Sequence, residues 1–222
     1  MKLAFAMLNV PLSSSVKALE ILAESLDASK ANQLLEIVAP SWVDLNAARH
    51  IAECGISNAN KPAVVLNGST YFCAKMYVQR ASFKTPKTSW PIILNDGIHG
   101  ERIVDEIAAD IETALILALR IEEDPLNPNA RAQLNLVLQE YLRNKRPVFV
   151  AFAYSAPLYG VLREIQAIFP TITFVFLSGE EFPSAIPSNG SFVRLIEPKL
   201  QTGDETKAQR DFAYARSLIR TT

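Results

Sequence analysis

From Lys61 onward the chain alternates short apolar runs rich in β-branched and aromatic residues with longer stretches of helical period, and this alternation sets the class of fold. Ala63 to Leu66, Trp90 to Leu94, Val148 to Ala153 and Ile172 to Leu177 are near-continuous apolar runs, the pattern of strands buried on both faces of a sheet. Helical patterns separate them: Thr70 to Arg80, a long stretch from about Glu101 to Glu122, Ala130 to Asn144, and Leu158 to Phe169. In the long stretch Ile103, Ile107, Ile111, Leu115 and Leu119 recur four apart on one face. Strands joined by helical crossovers run parallel. The expectation is therefore an α/β fold, an open and mostly parallel sheet of four to five strands with flanking helices. Phe192 to Ile196 supplies the fifth strand, an edge limited by Pro187 and Pro198.

The first sixty residues read as helical. Ser13, Ser14 and Ser15 are placed to cap a helix carrying Val16, Leu19, Ile21, Leu22 and Leu26. A second helix spans Ala28 to Val38 and stops at Ala39-Pro40. A third starts at Ser41 as its cap, has Asp44 in its first turn, and ends at Gly55. The polar stretch Ser57 to Asn60 then divides a helical N-terminal unit, 1–60, from an α/β domain, 61–222. Residues 201–209 read as a polar loop, and Ala208 to Ile219 as a closing helix.

Lys+Arg 22 against Asp+Glu 23 gives a net charge of -1, so the composition carries no overall attraction to nucleic acid or to an anionic membrane, and neither is expected as a partner. The apolar stretches fall well short of the roughly 20 residues of a spanning helix. The opening residues have one lysine and a short apolar run, the outline of a signal peptide, but no small-residue cleavage site follows. Cys54 and Cys73 are too few for a disulfide framework, and a reducing cytoplasm is the expected compartment.

The first strand, Gly68 and the helix after it have the outline of a phosphate-binding loop without its working parts. A Walker A loop, G-x-x-x-x-G-K-S/T, needs glycines so that backbone N–H groups can wrap a phosphate, a lysine to neutralise it and a hydroxyl for magnesium. Here Gly68 stands alone, Lys75 comes seven positions later instead of six, Cys73 or Ala74 replaces the second glycine, and Met76 follows the lysine. Gly68, Ser69, Thr70 and Lys75 are the candidate binding residues, with Tyr71 and Cys73 beside them at a helix start that attracts anions. The plain alternative is a βα turn in which Gly68 serves only backbone freedom. A nucleotide-hydrolysing site also needs an acid at the end of a neighbouring strand. After Val148 to Ala153 the chain offers Tyr154 and Ser155. Neither hydroxyl replaces a carboxylate as a metal ligand.

The richest polar cluster is Asn95 to Glu101, after the second strand, where open α/β sheets collect ligands. Asp96, His99 and Glu101, joined by Ser155, define the enzyme alternative: acid-base chemistry on a nucleotide-like metabolite. The bland reading is a glycine-rich turn whose Asp96 bonds its own backbone and whose Glu101 favours a helix start. His99 ahead of Ser155 has the order of a caspase-like dyad, yet the nucleophile there is a cysteine. Ser155 also lacks a G-x-S-x-G elbow, with Ala153 and Pro157 at the glycine positions. His50 and Cys54 share a helical face, but two ligands do not make a zinc site. No metal and no cofactor are expected. Trp42 and Trp90 are read as core or interface anchors.

The succession of strand, degenerate loop, strand, paired helices, strand, helix and strand resembles the nucleotide-binding core of STAND-type P-loop NTPases, and in particular inactive STAND-like domains of prokaryotic conflict and defence systems. The resemblance is carried by Pro40 to Asp44, Ala63 to Gly68 with Met76 to Ala81, Trp90-Pro91, and Gly97 to Glu101, and covers roughly residues 40 to 180. It implies a P-loop-NTPase-like fold and a scaffold or sensor that pairs through a helical adaptor with a protein partner. A homo-oligomer is compatible with it. It transfers no catalytic residue, because the Walker positions that would receive one differ in type. The function expected is a non-catalytic interaction or sensing module with a degenerate nucleotide-binding core.

Overall fold

The computed structural model of the chain describes residues 10–23, 25–57, 61–82, 90–95, 103–122, 124–179, 192–201 and 203–220. In chain order the elements are α1 (Leu12–Ala23), α2 (Ala28–Val38), a 3-10 turn (Ala39–Trp42), α3 (Leu45–Ile56), β1 (Ala63–Leu66), α4 (Tyr71–Ser82), β2 (Ile92–Leu94), α5 (Val104–Ala118), α6 (Ala130–Arg143), β3 (Val148–Ala153), α7 (Ala156–Gly160), α8 (Leu162–Ile168), β4 (Ile172–Leu177), β5 (Val193–Leu195) and α9 (Asp204–Arg220).

The five strands form one sheet in the order β2-β3-β4-β1-β5, with every pairing parallel. This is the α/β class that the alternation of strands and helices demands, and it is consistent with a P-loop-like fold. The order differs from both common doubly wound arrangements, 3-2-1-4-5-6 and 2-1-3-4-5. The chain leaves β1 for the far edge at β2 and returns inward through β3 to β4, so connections on the two sides of the β1–β4 boundary run in opposite directions. Ligand crevices in open α/β sheets form at such a reversal, outside the carboxyl ends of the strands.

Alternation along each strand builds two cores. Ala63 and Val65 of β1 pack with Val150, Phe152, Phe174 and Phe176 against α5, α6 and α8. Val64 and Leu66 face the other way, with Phe149, Ala151, Val175 and Leu177, against α3 and α4. All four β1 residues are buried, which is why the run needs no polar alternation.

A third cluster joins the two ends of the chain. Leu12, Val16 and Leu19 of α1 and Leu35 of α2 pack on Ala208, Ala215 and Ile219 of α9. Trp42, Phe72 and Phe212 bridge this cluster to the sheet: the Trp42 and Phe72 rings stack 6.3 Å apart, and Phe72 meets Phe212 at 5.6 Å. On the N-terminal side of residue 60, α3 packs on the sheet through Ala47, Ala48 and Ile51.

Several local expectations shift for identifiable reasons. Asp44, not Ser41, caps α3: its carboxylate accepts from the Asn46 and Ala47 N–H groups at 2.7 and 3.0 Å, while Ser41 lies inside the 3-10 turn, whose second residue is Pro40. The serines at 13–15 lie within the first turn of α1, which starts directly after Pro11. The helix expected over Leu158 to Phe169 is two short helices, the first opened by Ser155 and Pro157. The loop expected at 201–209 is already helix from Asp204 onward.

Candidate functional site

The turn from β1 into α4 lies at the carboxyl end of the sheet, beside the reversal. Its first residue, Asn67, is buried, and its amide exchanges two hydrogen bonds with the Leu200 backbone: Nδ2 donates to O and Leu200 N donates to Oδ1, each at 3.1 Å. These bonds tie the segment leading into α9 to the end of β1.

Gly68 is glycine for want of room. A Cβ placed there would lie 2.3 Å from Cys73 Sγ and 2.8 Å from Cys73 Cβ, far inside contact distance. Its φ is not in the left-handed region, so the backbone freedom expected of the turn is not what the position uses. The close approach of the first turn of α4 is.

At the N-terminus of α4, where a P-loop would hold phosphate, the carboxylate of Glu205 from α9 is already seated. Ser69 N donates to Glu205 Oε2 at 2.9 Å and Ser69 Oγ donates to the same oxygen at 3.0 Å. Thr70 Oγ1 donates to Oε1, and Gln209 Nε2 donates to Thr70 Oγ1 at 2.9 Å. A helix N-terminus presents unpaired N–H groups and the positive end of the helix dipole, which favour an anion. Here the anion is the chain's own. The cleft left beside it, lined by Asn67, Leu200, Gly203 and Thr206 among others, has a volume of about 70 Å³. Ligand pockets run to roughly 300–1,000 Å³.

The reversal between β1 and β4 is stitched as well. Ser178 N and Oγ both donate to Leu66 O, at 2.8 and 3.0 Å, and Gly179 N donates to Gly68 O at 3.0 Å. Tyr154, at the end of β3, donates its N–H to Leu177 O at 2.8 Å and packs its ring on Tyr159 and Phe176. No acid follows β3.

The remaining candidates are dispersed. Lys75 points away from the turn and reaches Glu36 on α2 at 3.8 Å, with both side chains well exposed. Ser155 is the N-cap of α7, its Oγ accepting from Leu158 N at 3.3 Å. Asp96, His99 and Glu101 lie outside the described residues. Of the binding candidates, the structure brings Gly68, Ser69 and Thr70 together and leaves Lys75 elsewhere.

Both thiols are buried and poor nucleophiles. Burial pushes the Cys54 thiol up to about 11. Burial, then the Glu205 carboxylate, push Cys73 still higher. Among the described residues no group of three His, Cys, Asp or Glu side chains is arranged to hold a metal, and no helix is long and apolar enough to cross a membrane. Comparison with family models, with characterised proteins and with solved structures finds no match to this chain.

Glu205 is the residue that sequence reasoning misses. It falls in a polar run read as loop, and its only signal is that Asp204 and Glu205 are acids of the kind that favour a helix start.

Proposed function

We propose that this protein is a non-catalytic interaction or sensing module, a P-loop-like core whose anion position is occupied by its own Glu205. The observation that carries this reading is the seating of the Glu205 carboxylate on Ser69 N, Ser69 Oγ and Thr70 Oγ1. Those donors would otherwise meet a phosphate. With a carboxylate there, a triphosphate would have to expel a satisfied negative charge from a helix N-terminus, while Lys75 is directed to Glu36 instead.

The resemblance to inactive STAND-like domains extends the proposal to a protein partner in prokaryotic defence signalling. The helices α1 to α3, closed by α9, act as the adaptor, and α9 links that adaptor to the former phosphate position. No cofactor enters this reading. The two free buried thiols fit a cytoplasmic setting.

The test is nucleotide binding and turnover on the full chain. The expected outcome is no phosphate release from ATP or GTP and a melting temperature that Mg-ATP leaves unchanged. A rise of several degrees with Mg-ATP, or turnover abolished by Ser69→Ala, overturns the reading.

A further inference from the structure

A cavity of about 620 Å³ lies away from the turn, between the start of α1, the 3-10 turn, the last turn of α4 and the first turns of α9. Its wall holds three buried polar atoms without a hydrogen-bond partner: Ser41 Oγ, Trp42 Nε1 and Arg80 Nε. Arg80 is only 9% exposed, and the charge of Asp44 acts on its guanidinium without a hydrogen bond to Nε. Leaving one buried donor unsatisfied costs about 1–3 kcal/mol, and more for a charged group. Three in one wall, in a cavity of ligand size, mark a place where a partner's acceptors belong.

The charges on the wall narrow the chemistry. Arg80 and Lys207 are opposed by Asp44, Asp204 and Asp211, so the lining is one charge more acidic than basic. Such a wall repels a polyanion. Asp44 and Asp204 already each use an oxygen on backbone N–H groups, of Asn46 and Ala47 and of Gln201 respectively, and keep a second oxygen. Asp44 acts on Arg80 itself, so the wall offers donors from the 3-10 turn and the end of α4, and carboxylates from α9.

We propose that this cavity binds a small zwitterion of the amino-acid class, free or as a short peptide, with its carboxylate on Arg80, Trp42 Nε1 and Ser41 Oγ and its ammonium toward Asp204 and Asp211 of α9. A guanidinium and a carboxylate match as a charge-assisted pair, and the indole and hydroxyl supply the remaining donors. The site would sense its ligand through α9, because Asp204, Lys207 and Asp211 face the cavity while Glu205 and Gln209 on the adjacent face hold the β1–α4 turn. The binding step stands whether or not the nucleotide reading does, since Mg-ATP seated at Ser69 would leave the Arg80 test unchanged.

The full-length chain is screened by thermal melting and tryptophan fluorescence against the twenty L-amino acids singly, a dipeptide panel, and acetate, glycerol and ATP as controls. At least one amino acid or dipeptide is expected to raise the melting temperature by several degrees and alter the fluorescence, with amino acids and dipeptides distinguished by which panel responds. Arg80→Gln weakens that binding by about tenfold or more. Ser41→Ala, which keeps the guanidinium and covers the case in which Arg80→Gln does not fold, weakens it severalfold, and Glu205→Gln leaves it in place. The proposal is overturned if no zwitterion binds, if acetate binds as well as the best zwitterion, if ATP displaces that zwitterion, or if both cavity variants bind like the wild type.

Discussion

Two faces of α9 meet the rest of the molecule in opposite states. On one, Glu205 and Gln209 close the β1–α4 turn, and every polar group named there has a partner. On the other, Asp204, Lys207 and Asp211 border an open cavity in which Arg80 Nε, Trp42 Nε1 and Ser41 Oγ have none. A satisfied carboxylate at a helix N-terminus stabilises the fold, whereas a buried guanidinium nitrogen without a hydrogen-bond partner costs stability. The site that resembles a ligand pocket by sequence is filled by the protein itself. The site that structure leaves open has no sequence motif.

The largest effect expected is alkaline destabilisation of the closed side. An unfolded chain releases its thiol protons near the ordinary cysteine value, whereas the folded chain holds Cys73 beneath Gly68, and Cys54 up to about 11, in the protonated form. Raised folded values give stability that is complete below the unfolded value and lost as pH rises through the folded one. For Cys54 alone the two-unit rise from 9.0 corresponds to about 3 kcal/mol. Lys61 acts in the opposite sense. Burial lowers its ammonium to about 8, so between there and the ordinary lysine value the unfolded chain binds more protons and stability rises with pH. Urea midpoints followed from pH 7 to 11 should fall above pH 9, less in Cys54→Ala and more steeply in Lys61→Met. A flat profile in all three would contradict the burial assigned to these groups.

Removing the charge that closes the turn comes next. Glu205→Ala should lower stability by about 2 kcal/mol, since hydrogen bonds to a charged group contribute more than neutral ones, and chemical denaturation measures it. Gly68→Ala should cost about 1–3 kcal/mol through overpacking against Cys73. Paired with Cys73→Ala, which removes the Sγ that the new methyl would strike, it should cost distinctly less than the two single changes summed. Additivity would mean that the close approach is not what keeps the glycine.

The smallest effect has the opposite sign and bears most sharply on the contrast. Arg80→Met should leave stability unchanged or raise it by about 1 kcal/mol, because an apolar side chain of similar volume removes a buried nitrogen that has no hydrogen-bond partner. If Arg80→Met instead destabilises as much as Glu205→Ala, the two sides of α9 do not differ in the way their hydrogen bonding indicates.

Much of the architecture is legible in the residues. Ala63 to Leu66, Val148 to Ala153 and Ile172 to Leu177 are strands with the bounds that their unbroken apolar runs predict, and Ala28 to Val38 is a helix between Asp27 and Pro40. The short run around Val193 is an edge strand, as its flanking prolines predict, and the structure adds that it pairs with β1. What escapes is set by contacts between distant parts of the chain. The need for glycine at 68 depends on where Cys73 Sγ lies. The role of Glu205 depends on a partner 136 residues away in sequence. The start of α9 shows no apolar periodicity because its first turn faces a cleft and a cavity, and its packing begins at Ala208. The open cavity is invisible for the same reason: Ser41, Arg80 and Lys207 come from separate elements and no spacing joins them.

The most direct test of the central claim is the amide resonance of Ser69 in two-dimensional NMR. The account predicts that millimolar Mg-ATP leaves it in place while Glu205→Gln moves it, because the carboxylate of Glu205 is the acceptor of that N–H. A Ser69 resonance that shifts with Mg-ATP in the wild type and is indifferent to Glu205→Gln would contradict it.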